Sequence, residues 1–516
     1  MTTHRDRTPP PPPEPEAART SGLDPDRDSG PAPDRDAGPA PDRDFSQGPG
    51  LDSSRGPGLD PGPVSSPEAG PRSGTGVKAP CAPPPPSLTG SPFDSDTFTS
   101  ASFVNVGRGP ALALTVVWTL TRAGMLLLLA RDALGVGGVG REVYVLYQHW
   151  YRQFGHGTFP VNDVTWQYPP GAGLVIMSPG LLPWLTYFQA FVALTLLADA
   201  AVTLALARAD SHRVTHGAWI WVCGLPLLLH IPLARYDVQV TALAVLALLA
   251  LTSRTPAVPR LGGVLGGVLA GLGALVKVWP VLTLIGTPRG RTTRDAWTSA
   301  AATAAVLLAT LALFFSHSLG FLRQQGSRGV QIESVGGTAL ALAQWAGTWP
   351  GRAQYRYGAF EYVGPYVSTV GRLALLLTVL AFVWLLVWRL RARTWTEATP
   401  LDAALAAVLL FTVTSRVISP QYLIWLLGLA AVCLTSRMTV MRPVALLLLP
   451  AAGLSSLAYP VLYDDVVAGT FPGVAVMVVR NGLLLACALL AARRLWVSTT
   501  REAPPKPTPH PPSQEA

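Results

Sequence analysis

Between residues 110 and 492 the chain is a succession of apolar runs of roughly 17–25 residues, separated by short polar connectors. A run of that length spans the hydrocarbon of a bilayer as a helix, and lipid leaves the backbone few other ways to satisfy its hydrogen bonds. The 516 residues are 49% hydrophobic and only 13% charged, with mean hydropathy +0.34. A soluble domain averages about 25% charged residues and shows helices with one charged face. Here the charges crowd into residues 1–108, the connectors and the C-terminal tail. The pattern implies an all-α polytopic membrane bundle over 109–495, flanked by disordered tails at 1–108 and 496–516.

The expected spans are 110–130, 170–186, 187–208, 217–234, 237–252, 261–286, 296–316, 367–390, 402–418, 420–436, 443–460 and 472–492, about 12 helices by length. Four arginine groups mark boundaries: Arg289, Arg291 and Arg294; Arg389, Arg391 and Arg393; Arg437 and Arg442; Arg493 and Arg494. Placing all four in the cytoplasm satisfies the positive-inside rule. Both termini are then cytoplasmic, and the 131–169 and 317–366 loops face outward with Tyr463-Asp464-Asp465. This arrangement leaves Arg208, Arg213, Arg254 and Arg260 outside, against the rule. An alternative makes 170–186 re-entrant and splits 261–286 around Lys277-Val-Trp-Pro280, at the cost of half-spans too short to cross. Twelve continuous spans are the expectation carried forward.

The formal charge of +9 reads as topology and not as affinity for nucleic acid. The first 108 residues repeat Pro25-Asp-Arg-Asp28 at 33–36 and 41–44 and hold too little apolar surface to offset ordering entropy. They lack the n- and h-regions of a cleavable signal. Cys81, Cys223, Cys433 and Cys487 show no metal-ligand spacing and no disulfide framework. No GxxxxGK[ST] motif supports nucleotide hydrolysis, and no connector is large enough for a soluble nucleotide-sugar domain. No metal or other cofactor is expected.

Chemistry concentrates in the outer loops. The first carries Glu142 and Asp163, either of which can serve as a general base if its pKa suits the task. Around them lie Tyr144, Tyr147, Trp150, Trp166 and Tyr168, aromatics that stack on sugars and also populate lipid interfaces. The second holds Arg323, Arg328, Gln331, Glu333 and Ser334; arginine suits bidentate phosphate contact. Arg235-Tyr236-Asp237, Lys277 and Ser419-Pro420-Gln421-Tyr422 sit at span edges, where ionisable groups are costly and usually mark a pathway or site. Asp199, inside a span, reads as a buried structural acid.

Trp166-Gln-Tyr-Pro-Pro170, Lys277-Val-Trp-Pro280, Arg328-Gly-Val-Gln-Ile-Glu-Ser334 and Ser419-Pro-Gln-Tyr422, in this order over 110–492, resemble glycosyltransferase family 87. That family belongs to the GT-C membrane enzymes and resembles the polyprenol-phosphate-mannose-dependent mannosyltransferases of actinobacterial envelope synthesis. The resemblance implies a catalytic Asp early in the first outer loop, followed closely by an aromatic. Glu142, with Tyr144 after it, occupies that place, one methylene longer, and Asp163 is its rival. It further implies a polyprenyl-phosphate hexose donor, a lipid or glycan acceptor, and a site on the extracytoplasmic face of the cell membrane. Arg328, Arg323 and Lys277 would hold the donor phosphate. Tyr144, Trp166, Gln167, Tyr168, Arg235, Asp237, Gln331, Glu333, Gln421 and Tyr422 would bind substrate. The rival class is a secondary transporter or lipid flippase, which would show paired internal repeats and midplane charges; no half-to-half similarity is evident.

Overall fold

The structure is a computed structural model that describes residues 108–500, apart from 133, 161–162, 164, 210–215, 254–259 and 321–327. Residues 1–107 and 501–516 therefore lie outside the described residues, as do Arg213, Arg254 and Arg323. The helices of the first half are α1 (Arg108–Arg131), α2 (Gln148–Phe154), α3 (Ala172–Met177), α4 (Tyr187–Ala209), α5 (His216–Gly224), α6 (Asp237–Thr252), α7 (Leu261–Val276) and α8 (Arg291–Phe314). Those of the second are α9 (Val335–Trp345), α10 (Val367–Arg391), α11 (Thr399–Thr414), α12 (Tyr422–Cys433), α13 (Arg442–Ser456), α14 (Tyr463–Ala468) and α15 (Phe471–Thr500). The chain is thus a mostly helical membrane protein. Among the described residues, helices α1, α4, α8, α10, α13 (with its extension to Val461) and α15 are the six long and apolar enough to cross a bilayer. The other expected spans hold apolar helices of 10–17 residues.

Position in the bundle follows side-chain character. Helices α11 and α12 are apolar all round and buried almost throughout, so they form the centre. Helices α8 and α10 bury little of their length and show Leu313, Leu375 and Leu386 outward, as lipid-facing helices do. Glycine sets the closest approach. Helix α7 reads LGGVLGGVLAGLGALV, and a Cβ on Gly267 would collide with the Ala296 carbonyl and the Ser299 hydroxyl of α8. The α7 backbone therefore lies against α8 on one side and α6 on the other, the small-residue packing that substitutes for hydrophobic drive in lipid.

Contacts between connectors define two ends. At one, Phe159 N–H donates to Ser316 O at 3.3 Å, Val136 N–H to Pro460 O at 3.1 Å, and the rings of Phe360 and Tyr463 lie 5.9 Å apart. The three loops expected to face one way do gather there. At the other, Arg289 donates to Leu390 O at 2.9 Å, Arg393 N–H to Thr499 O at 2.9 Å, and Arg494 to Val440 O at 3.2 Å. This end collects the four arginine groups.

Three expected continuous spans are corrected. Residues 261–286 do not run straight. Helix α7 stops at Lys277, which is extended (φ −146°, ψ 139°), and Trp279–Gly286 returns as a 3₁₀ helix with Pro280 in its first turn. Gly273 packs on Pro280, while Arg389 reaches the Ile285 and Thr287 carbonyls, so the segment is a hairpin with Lys277 at its apex. Residues 170–186 form only the six-residue α3 and a 3₁₀ turn, Ser178–Leu181. Gly171 contacts Leu275 and Gly180 contacts Tyr151, so this segment stays at the loop end. Both changes return Arg208 and Arg260 to the arginine-rich end, as the charge rule requires. The physical reason is local: Pro179, Pro183 and Pro280 cannot donate to a helix ladder, and neighbouring segments satisfy the freed groups. Pro226 and Pro232 likewise turn the 217–234 span into α5 followed by 3₁₀ turns at Leu225–Leu228 and Ile231–Ala234. The last span runs on to Thr500, taking in five residues assigned to the tail, because Thr499 accepts a bond from Trp388.

The 317–366 loop is not plain coil. A three-stranded antiparallel sheet orders β1 (Val330–Gln331), β3 (Ala359–Val363) and β2 (Arg352–Arg356), with Gln331 opposite Glu361. The β2–β3 hairpin turns through Tyr357 (φ 52°) and Gly358 (φ 77°), the positive-φ pair of a two-residue turn. Ser334 caps α9 by accepting from Gly337 N–H at 2.9 Å.

Candidate active site

Charged side chains converge where the α7 hairpin apex meets the start of α6 and the first loop. Residues Glu142–Tyr147 coil as a π-helix, an uncommon form that often marks functional sites. Glu142 pairs with Arg235 (2.8 Å) and accepts a hydrogen bond from the Tyr147 hydroxyl at 2.9 Å. Arg235 also donates to the carbonyls of Ala234 (2.7 Å) and Val139 (3.1 Å), which ties the first loop to the head of α6.

Two residues on, Asp237 is 1% exposed, and its Oδ1 accepts from both Lys277 Nζ and Trp425 Nε1 at 2.5 Å. Its Oδ2 is buried without a partner among the described residues. The Lys277 ammonium lies 4.7 Å from the Tyr236 ring and 5.0 Å from Trp425, with Tyr168 and Tyr422 near 6 Å. One carboxylate and four aromatic faces therefore stabilise a cation that is only 12% exposed. Proline accompanies the placement: Pro280 opens the 3₁₀ segment that follows Lys277, and Pro232 opens the one that precedes Arg235.

Asp163 has a different environment. It accepts from Trp150 Nε1 (2.8 Å), Thr165 N–H (2.9 Å) and Thr165 Oγ1 (2.5 Å). Burial acts to raise its pKa, but these donors outweigh it and hold the carboxyl below the usual range. Trp166 is buried in a box with Trp150, Phe154 and Phe159 beneath the loop. Gln167 is half-buried between it and Tyr168. Tyr144 is 47% exposed against Phe188 and does not join the charged cluster; Tyr147 makes the contact to Glu142 instead.

The second loop brings Arg328 within 3.6 Å of Glu361 and bonds it to Tyr357 O at 3.1 Å. The Tyr357-Gly358 turn that it bonds lies against Thr165, which brings it beside the first loop. Gln331 donates from its backbone to Arg416 O (3.0 Å) and from its amide to Ser419 (3.4 Å), joining this loop to the Ser419-Pro420 motif. Gln421 occupies the N-cap position of α12 without a capping side-chain bond. Glu333 is 3% exposed, 3.9 Å from Arg480, and burial pushes its pKa up to about 7. Arg480 and Asn481 anchor its carbonyl at 2.8 and 3.2 Å.

The structure thus brings Glu142, Arg235, Asp237, Lys277, Tyr168 and Tyr422 together, with Arg328 alongside. Sequence reasoning did not single out Tyr236 and Trp425 as cluster members. Trp425 was within reach of it, since it stands one helical turn after Tyr422 and stacks on it at 3.9 Å. Glu361 had no signal beyond its place in an unrecognised strand.

The model of glycosyltransferase family 87 matches residues 166–420. That stretch holds Tyr168, Arg235, Asp237, Lys277 and Arg328 and leaves Glu142 just upstream. No curated protein and no solved structure gives a match. With the four motifs in order and their charged residues meeting at one end of a membrane bundle, the chain belongs to glycosyltransferase family 87.

Proposed function

We propose that this membrane glycosyltransferase moves a hexose, mannose by family likeness, from a polyprenyl-phosphate donor to an envelope glycolipid or glycan. The observation that supports this most is the pairing of a reachable carboxylate with a caged cation. Glu142 keeps 24% of its side chain exposed, whereas Asp237 is sealed and Asp163 already accepts from three donors. Glu142 is ion-paired with Arg235 and accepts from Tyr147, and its oxygens retain further lone pairs to take a proton. An acceptor hydroxyl attacks the anomeric carbon as its proton passes to Glu142. The bond from that carbon to the phosphate oxygen breaks, and the lipid phosphate leaves with the electron pair. Lys277 and Arg328 face the charge that develops there, in a low-dielectric setting where fixed cations act most strongly. A sugar already on a phosphate needs no nucleotide site.

In this reading the arginine-rich end is cytoplasmic, with both termini, and the site opens on the extracytoplasmic side of the cell membrane. The test incubates membranes containing the chain with radiolabelled polyprenyl-phosphate mannose. Label should pass to a lipid- or glycan-linked product, and Glu142→Gln membranes should not form it. Equal consumption by both would remove Glu142 as the base; no consumption of any polyprenyl-phosphate hexose would remove the donor class.

A further inference from the structure

The arginine-rich end carries a second feature, remote from the charged cluster. Between α10 and α15 runs a groove of about 490 Å³, lined by Leu380, Val383, Trp384, Val387, Trp496 and Arg493 with small residues between them. Its apolar residues on α10 recur at helical spacing, and the same stripe continues into Leu390 and Arg391. At that helix end lies a second pocket of about 650 Å³, between Arg289, Arg391, Arg393 and Trp395. No carboxylate lines either pocket, and Arg289, Arg391 and Arg493 have no ion-pair partner among the described residues. Arg289 spends its hydrogen bonds on the Arg389 and Leu390 carbonyls, which draws one more cation to this corner.

Like charges gathered without an acid are complemented by an anion. An apolar channel leading straight to them is complemented by a hydrocarbon chain. We propose that this corner binds one anionic phospholipid, its acyl chain along the α10–α15 groove and its phosphate on Arg493 and Arg391. The two tryptophans, whose rings lie 6.0 Å apart, flank the chain where it nears the headgroup. Basic pockets between membrane helices hold lipid headgroups by this combination of point charges and packing. The proposal is independent of the transferase reading, because the lipid sits at the end opposite the charged cluster.

The test uses the full-length protein purified in a mild detergent and exposed to equal phosphatidylglycerol and phosphatidylcholine, with retained adducts counted by native mass spectrometry. Each arginine near an anionic headgroup is worth roughly fivefold, so the wild type should prefer phosphatidylglycerol about 25-fold. Arg391→Gln should keep about a fivefold preference and Arg391→Gln with Arg493→Gln almost none. Both side chains are exposed, so these variants leave the fold intact. Ala492→Phe, which fills the groove, should remove adducts of both lipids. Equal retention of the two lipids by the wild type would overturn the proposal, as would an undiminished preference in the double variant. Displacement by millimolar inorganic phosphate would assign the site to a soluble anion, and a lipid-insensitive dimer that covers the groove would assign it to a second copy; either overturns it.

Discussion

Glu142 and Asp163 are the same chemical group in the same loop, yet their neighbours separate them. A general base contributes about 10²–10⁴-fold to rate. Glu142→Gln should lower turnover on that scale with donor binding retained, and Glu142→Asp should stay active; the kcat and KM of each variant check this. Asp163→Asn removes a bond acceptor beneath the loop, so it should cost less turnover and more thermal stability. Glu333 supplies a pH test. Its folded pKa, pushed up to about 7, lies above the ordinary value of 4.5. The native state therefore holds the proton more tightly, and the stability this contributes is lost as pH rises through about 7. Detergent-solubilised protein should show a melting temperature that falls between about pH 5 and pH 7 and levels off above it, and Glu333→Gln should flatten that slope. The identities of Arg235, Asp237 and Lys277 as costly charges were legible in sequence, because lipid makes any such residue conspicuous. Their pairing was not, since the 40-residue separation of Asp237 and Lys277 closes only when α6 and α7 pack side by side.

Elements were legible where length settled the matter and misread where proline did. Apolar length alone found the six long helices, but it joined α7 to the 3₁₀ return that follows because both halves are equally apolar. The arginines carried the missing information: moving Arg208 and Arg260 to the basic end demanded a re-entrant 170–186 and a split 261–286. A cysteine at Arg260 or Gly290 should thus label from one side of the membrane, and one at Pro160 or Trp345 from the other; opposite labelling of 260 and 290 would refute the hairpin. The α1–α4–α5 corner gives a second test. Asp199 accepts from Arg122 at two points (both 2.8 Å), from Trp118 and from Trp221. Asp199→Leu strands the buried guanidinium and should cost about 3–5 kcal/mol, much of which Arg122→Met should restore in the double variant. The sheet in the 317–366 loop escaped notice because its strands are short and Tyr357-Gly358 is a weak turn signal beside Asn-Gly.

For the molecule as a whole, composition was sufficient to declare a membrane bundle, since 13% charge over so long a chain leaves few other solvents. Deleting residues 1–100 should leave insertion and transfer intact, because so polar a segment has little to pack with; loss of transfer at normal expression would give the tail a part in the reaction. The hairpin apex has a further consequence for how substrate arrives. Sixteen residues of α7 rise about 24 Å, short of the roughly 30 Å hydrocarbon thickness. Were the basic end to sit at one headgroup layer, Lys277 would lie at the depth of the far leaflet's upper chains, below its surface. A phosphate tethered to a long lipid can meet it by sliding sideways in the plane of the leaflet. For the proposed lipid-linked donor, encounter would then be a two-dimensional search whose rate is set by lateral mobility and donor density in the membrane and not by any concentration in water.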